Sequence, residues 1–244
     1  MLSPNLMNAH AETTREGKNS AAARLFRRLA PHHRYRWEIY DERLLSFLGA
    51  DTIWVDAGCG GNDHVARWGE KVRFAVGVDV ADHPSRTAGP FAVADLRHMP
   101  FRTGSVSLVT LRMVAEHLRH VPEDFREIDR ILAPGGRLIV LTTNRWSPVI
   151  ALPRLLPHAL RKRILARLFG VRDDDVLPAF HRFNTPARMR RGIGRLRAES
   201  VDLLEQAPLD RPALLPLFGT WYLVSQIPLL RSLRSNMLGV FRKV

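Results

Sequence analysis

Between Ile53 and Thr143 the chain alternates short runs that are apolar throughout with stretches of helical character. Ile53–Ala57, Val72–Val80, Phe91–Ala94, Val106–Leu111 and Arg137–Thr143 read as strands. A strand with one face in water alternates apolar and polar residues, whereas one buried on both faces does not, so these runs belong inside a layered sheet. Asn62–Gly69 and Pro122–Leu132 read as helices between them, and such crossovers are what parallel strands need. In the second helix Phe125, Ile128 and Leu132 share one face, and Glu123 and Asp124 fall in the first turn, where the positive end of the helix favours acids.

The flanks differ from this centre. Residues 1–20 are polar and read as a disordered lead-in. From Ala21 to Leu48, apolar residues recur at helical spacing; Pro31 divides the run and Gly49 ends it, so 21–50 form an N-terminal helical lid in this reading. The core occupies 51–145, and 146–244 hold helical insertions after strand 5 and between the last two strands, Val201–Leu204 and Met237–Arg242. Within that last region Arg154, Arg161, Lys162, Arg163 and Arg167 interleave with leucines, giving a basic amphipathic segment. Thr185-Pro186 has the form of a helix start, opening a basic helix expected to run to about Ala198. Nineteen residues without a charge lie between Arg211 and Arg231; Pro212, Pro216, Pro228 and Gln226 argue against a membrane span there, and burial is expected instead.

Thirty-seven basic residues against 24 acidic give the 244-residue chain a net charge of +13. Such a charge suits an anionic partner, for instance an anionic membrane surface, although 33 of the basic residues are arginine and the bias is equally a habit of composition. The single cysteine, Cys59, excludes an intrachain disulfide, and no zinc-ligand spacing is present, so no metal site is expected. No apolar run marks the first twenty residues as a secretory signal, and a cytoplasmic location is expected, with a peripheral place at the inner membrane face as an extension of the charge argument.

Chemistry concentrates where the first strand turns into the first helix, at Val55-Asp56-Ala57-Gly58-Cys59-Gly60-Gly61-Asn62-Asp63. Glycines let the backbone approach a ligand, and the helix start presents free N–H groups. Asp79 ends the second strand, at the spacing where an acid accepts hydrogen bonds from ribose hydroxyls. A dinucleotide fingerprint would carry a third glycine where Asp63 stands, and Asp56 would repel a pyrophosphate. An acid there suits a ligand with a positively charged amino group, which favours S-adenosyl-L-methionine over a nicotinamide cofactor.

In VDAGCGG, VGVDV, ADLRHMPF, SVSLVTLRMVAEHL and REIDRILAPGGRLIVLTTN, taken in order, the chain from about Thr52 to Asn144 resembles the class I methyltransferases of the methyltransferase domain 11 type. The resemblance implies a Rossmann-like, seven-stranded, mostly parallel sheet flanked by helices, with the last strand antiparallel. It also implies that Asp56, Gly58 and Gly60 surround the methionine part of the cofactor and that Asp79 holds the ribose. Asp95 and Leu96 would meet the adenine, and Arg112 and Met113 would face the methyl group. The phrase HRFNTPARMRR in the segment after the fifth strand is similar to one in a subset of these enzymes found beside sugar- and glycan-modifying genes.

A hydroxyl acceptor needs a general base besides orientation. His117 and His181 are the candidates, with Glu116, His33 and Tyr35 behind them. The function expected is O-methylation of a small molecule, sugar, or glycan- or lipid-linked acceptor. The rival readings are an RNA methyltransferase and a non-catalytic cofactor-binding module docked on a membrane or partner. No nucleic-acid partner is expected, because Leu111-Arg112-Met113 stands where a base-binding tetrad would lie and no RNA-binding module is appended.

Overall fold

The computed structural model describes residues 21–84, 86–155, 178–209 and 213–244. Arg161, Lys162, Arg163 and Arg167 lie outside the described residues, as does the side chain of Arg154. The chain forms two compact units. A sheet unit comprises Tyr40–Asn144, Pro178–Asp202 and Met237–Val244, and a helical unit comprises Met1–Ile39, Arg145–Leu177 and Leu203–Asn236.

Seven strands make one sheet: β1 (Ile53–Ala57), β2 (Phe74–Asp79), β3 (Phe91–Val93), β4 (Val106–Arg112), β5 (Leu132–Thr143), β6 (Leu196–Leu204) and β7 (Asn236–Lys243). Their order is β3-β2-β1-β4-β5-β7-β6. The pairs β1–β2, β1–β4, β2–β3 and β4–β5 are parallel, with Val55 opposite Val76 on one side and Val109 on the other. Near the end of β7 the Lys243 ammonium donates to the Leu132 carbonyl at the start of β5, at 2.7 Å. Val244 N donates to Arg195 O beside the start of β6, at 3.0 Å, so β7 runs against both neighbours. Among the described residues, the α-helices of six residues or more are α1 (Ala21–Leu29), α2 (Arg36–Leu45), α3 (Asp63–Trp68), α4 (Val121–Ile131), α5 (Pro186–Arg191) and α6 (Leu215–Val224).

The wholly apolar runs are buried as expected. Trp54, Val55, Leu108, Val109 and Leu138–Leu141 fill the sheet, and α4 contributes Phe125, Ile128 and Ile131. Even the indole N–H of Trp54 is met inside, by Thr110 Oγ1 at 2.9 Å. Two local expectations need correction. The fifth strand does not begin at Arg137: β5 already pairs at Leu132 with Val106, loses register across Pro134-Gly135-Gly136, and resumes at Arg137 opposite Leu108. The helix begun at Thr185, whose hydroxyl accepts from Arg188 N, ends at Arg191 rather than near Ala198. Gly192 adopts φ +71°, where a Cβ would lie 2.2 Å from Leu196 O, and Ile193 and Leu196 close a tight turn that starts β6 at once.

In the helical unit Phe26 and Ala30, at the end of α1, pack with Leu215 and Tyr222 of α6 and with Ala207 and Leu209. His33 stands edge-on to Phe26, Tyr35 and Tyr222, with ring centroids 5.1–5.4 Å apart. Its Nε2 accepts from Ala207 N at 3.1 Å, and burial lowers its pKa. His33 and Tyr35 are therefore parts of this core. The uncharged stretch is buried only in part: Leu215, Tyr222 and Ser225 are inside, while Leu217, Leu223, Val224, Ile227 and Leu229 face water. Among the described residues no helix is long and apolar enough to cross a membrane.

Candidate active site

Strand order reverses at β1, with β2 and β3 to one side and β4 and β5 to the other. Ligands of open α/β sheets bind at the carboxyl ends of the strands beside such a reversal. The residues singled out from sequence gather along this edge. After β1, Gly58 N and Cys59 N both donate to Val78 O, at 2.7 and 3.1 Å, folding the loop over the end of β2. Gly58 has φ +70°, and a Cβ on it would lie 2.4 Å from Val114 Cγ2. Gly60 N donates to Asp79 Oδ2 and Val80 N to Asp79 Oδ1, both at 2.8 Å. Two backbone amides thus orient the Asp79 carboxylate, and each oxygen keeps a lone pair.

Asp56 is buried with one oxygen satisfied. Oδ1 accepts from Thr110 Oγ1 at 2.6 Å, while Oδ2 has no hydrogen-bond partner. Burial pushes this carboxyl up, and Arg112 and His64 draw it partly back. A buried acid with an unmet oxygen is a ready acceptor for a cationic donor.

Beside it runs a charged chain that the sequence did not announce. Arg112 Nη2 meets Asp63 Oδ1 at 2.6 Å, Asp63 Oδ2 meets His64 Nδ1 at 3.1 Å, and His64 Nε2 meets Asp41 Oδ1 at 3.0 Å. Burial works against ionised Asp63, but His64 and Arg112 outweigh it and hold the carboxyl low. For His64 burial again opposes the charge, and the hydrogen bonds to Asp41 and Asp63 prevail. Asp95 is bracketed by Arg97, through N at 2.9 Å and the guanidinium at 2.7 and 3.1 Å, which hold it at about 2. Leu96 beside it is half-buried.

A second polar group lies at the ends of β4 and β5. Glu116 is buried, and its Oε2 accepts from Thr142 Oγ1 at 2.7 Å. Its carbonyl accepts from Phe180 N and His181 N, at 2.8 and 3.0 Å, tying the 180–184 loop to the loop after β4. Asn184 Nδ2 donates to Thr142 Oγ1 and to Thr143 O. His181 has φ +50°, and its Nδ1 lies 3.3 Å from Thr143 Oγ1. His117 Nδ1 lies 2.9 Å from Pro178 O, an acceptor only, so the proton sits on Nδ1 and the lone pair on Nε2. Thr142 and Asn184 were missed from sequence; the one signal available for Asn184 was its place in the HRFNTP phrase.

Residues 55–140 match a family described as methyltransferase domain. That stretch of the chain is similar to the class I S-adenosylmethionine-dependent methyltransferases. The chain is 28% identical over 197 residues to the probable S-adenosylmethionine-dependent methyltransferase of Mycolicibacterium smegmatis, covering 73% of this chain and 75% of that one. It is 30% identical over 115 residues to a ubiquinone biosynthesis O-methyltransferase of Caulobacter sp., covering 41% and 44%. The chain spans between a quarter and under half of the length of the first two curated relatives it matches. Among solved structures, geranyl diphosphate C-methyltransferase of Streptomyces coelicolor shares the fold, with TM-score 0.51, 19% identity, and cover of 85% of this chain and 78% of that chain.

Proposed function

We propose that this protein is an S-adenosylmethionine-dependent methyltransferase that methylates an oxygen of a small-molecule acceptor, a sugar, or a glycan- or lipid-linked hydroxyl compound. The observation behind the cofactor half is the unmet Oδ2 of buried Asp56, beside a glycine turn that a Cβ would fill and the amide-oriented Asp79. These residues fit S-adenosylmethionine. Asp56 takes the amino group of its methionine part, Gly58 and Gly60 line that part, and Asp79 takes the ribose hydroxyls. Asp95 and Leu96 border the adenine, and Arg112, neutralised by Asp63, stands at the end of β4. When bound, the cofactor supplies a methyl group already activated on sulfonium, so the protein has mainly to orient the acceptor.

The oxygen half rests on His117. With Nδ1 committed to Pro178 O, Nε2 accepts the acceptor's hydroxyl proton as the oxygen is methylated. His181, oriented by Thr143, is the second candidate base. A carbon acceptor would lose its proton from carbon instead, to a base placed beside that carbon, and the structural neighbour named as a C-methyltransferase makes that the alternative outcome.

Two measurements test the reading. Calorimetry with S-adenosylhomocysteine should show binding that Asp79→Ala weakens ten- to a hundredfold, about 1.5–3 kcal/mol. Product release over a panel of hydroxylated acceptors should fall about a hundredfold or more in His117→Gln, with cofactor affinity unchanged. Wild type that binds no cofactor overturns the first half, and full turnover by His117→Gln overturns the second.

A further inference from the structure

We infer that the outer face of α1 and α6 in the helical unit docks on an anionic lipid bilayer. The helix α6, LPLFGTWYLV, is apolar almost all round. Its inner face, Leu215 and Tyr222, is covered by Phe26 and its neighbours. Its outer face is not: Leu217 is 71% exposed, and beyond the helix Ile227 is 52% and Leu229 88% exposed. A helix apolar on every side is normally enclosed by protein or lipid, and a cluster of exposed large apolar side chains marks an interaction surface. Ten residues rise about 15 Å, half of a hydrocarbon core of about 30 Å, so α6 can lie in the interface but not span it.

Charge selects the occupant. The partner helix α1 exposes Arg24, Arg27 and Arg28 with Leu25 and Leu29 among them. Residues 21–37 hold five arginines and no acid, and residues 211–244 hold no acid either, while exposed Arg231 stands two residues after Leu229. Exposed apolar side chains interleaved with arginines, with Glu38 and Asp210 just outside these two acid-free stretches, match acyl chains beneath anionic headgroups. A second copy of the same surface would bring arginine against arginine.

This surface does not depend on the reaction proposed above, and its test is separate from turnover. The full chain is sedimented with phosphatidylcholine vesicles and with vesicles also containing phosphatidylglycerol, at low and high salt. Wild type should pellet with the anionic vesicles and lose that binding with salt. The variant Leu217→Gln/Leu223→Gln/Leu229→Gln should bind about tenfold more weakly or worse. Arg27→Gln/Arg28→Gln should lose about fivefold per arginine. Circular dichroism and S-adenosylhomocysteine binding show whether each variant is folded, and the arginine variant carries the test if the leucine variant is not. Equal pelleting with both vesicle types, or unchanged pelleting by a folded variant, overturns the inference. So does a leucine variant that only converts a dimer to a monomer by light scattering, which would assign the face to a second copy.

Discussion

Asp56 in the sheet unit and Glu205 in the helical unit are both acids taken out of water, 1% and 8% exposed, and burial pushes both carboxyls up. They differ in what meets them. Glu205 accepts from the Ser235 hydroxyl and Gln206 N on Oε1, and from Trp221 Nε1 at 2.7 Å and Ser235 N at 3.0 Å on Oε2. Its capacity is filled, and it binds α6 to the chain that enters β7. Asp56 has one donor, Thr110, and one oxygen left over. Desolvation is common to the two acids; what sets Asp56 apart from Glu205 is unmet hydrogen-bonding capacity at the carboxyl ends of the parallel strands.

That contrast can be broken by experiment. Glu205→Ala strands four buried donors and should cost about 3–5 kcal/mol in urea unfolding, with S-adenosylhomocysteine affinity of the folded protein unchanged. Asp56→Asn should do the reverse. Its stability should change by less than about 1 kcal/mol, because the amide still accepts from Thr110 and sheds a poorly solvated charge. Its cofactor affinity, read by calorimetry, should drop about ten- to a hundredfold. An Asp56→Asn protein that unfolds easily yet binds normally would make the two acids alike. The smallest effect concerns His64, next to Asp56. Its pKa is raised above 6.5, so its contribution is full below pH 6.5 and is lost as pH rises through the folded value. The stability gap between wild type and His64→Gln should therefore shrink on raising the pH above 6.5, by less than about 1 kcal/mol. A gap that widens would place the charge elsewhere in the Asp41–His64–Asp63 chain.

The same division governs what could be read from the sequence. Strands β1 to β4, the glycine turn and Asp79 were legible because each is specified within a few residues. The Arg112–Asp63 pair and the Glu116–Thr142–Asn184 group were not, since they join residues 49, 26 and 42 positions apart. Strand β6 began five residues earlier than expected, at Leu196. It lies at the sheet edge, and Arg197 and Glu199 there are what a half-solvated strand carries. The uncharged 212–230 stretch pointed to burial by hydropathy alone, but only one face of α6 has protein against it.

The position of β7 sets the order in which the sheet can be completed during synthesis. Strand β6 leaves the ribosome before β7, yet its one neighbour in the sheet is β7, which also supplies the second partner of β5. Until residues 236–243 arrive, β5 presents an open edge and β6 has no ladder to join, with the whole of α6 emerging between them. An unpaired sheet edge is what invites pairing with another chain. Lys243, whose ammonium reaches both Asp129 O and Leu132 O, then fastens the late strand to the end of α4 and the start of β5. The sheet edge at β5 is thus open to another chain for as long as residues 236–243 are not yet in place.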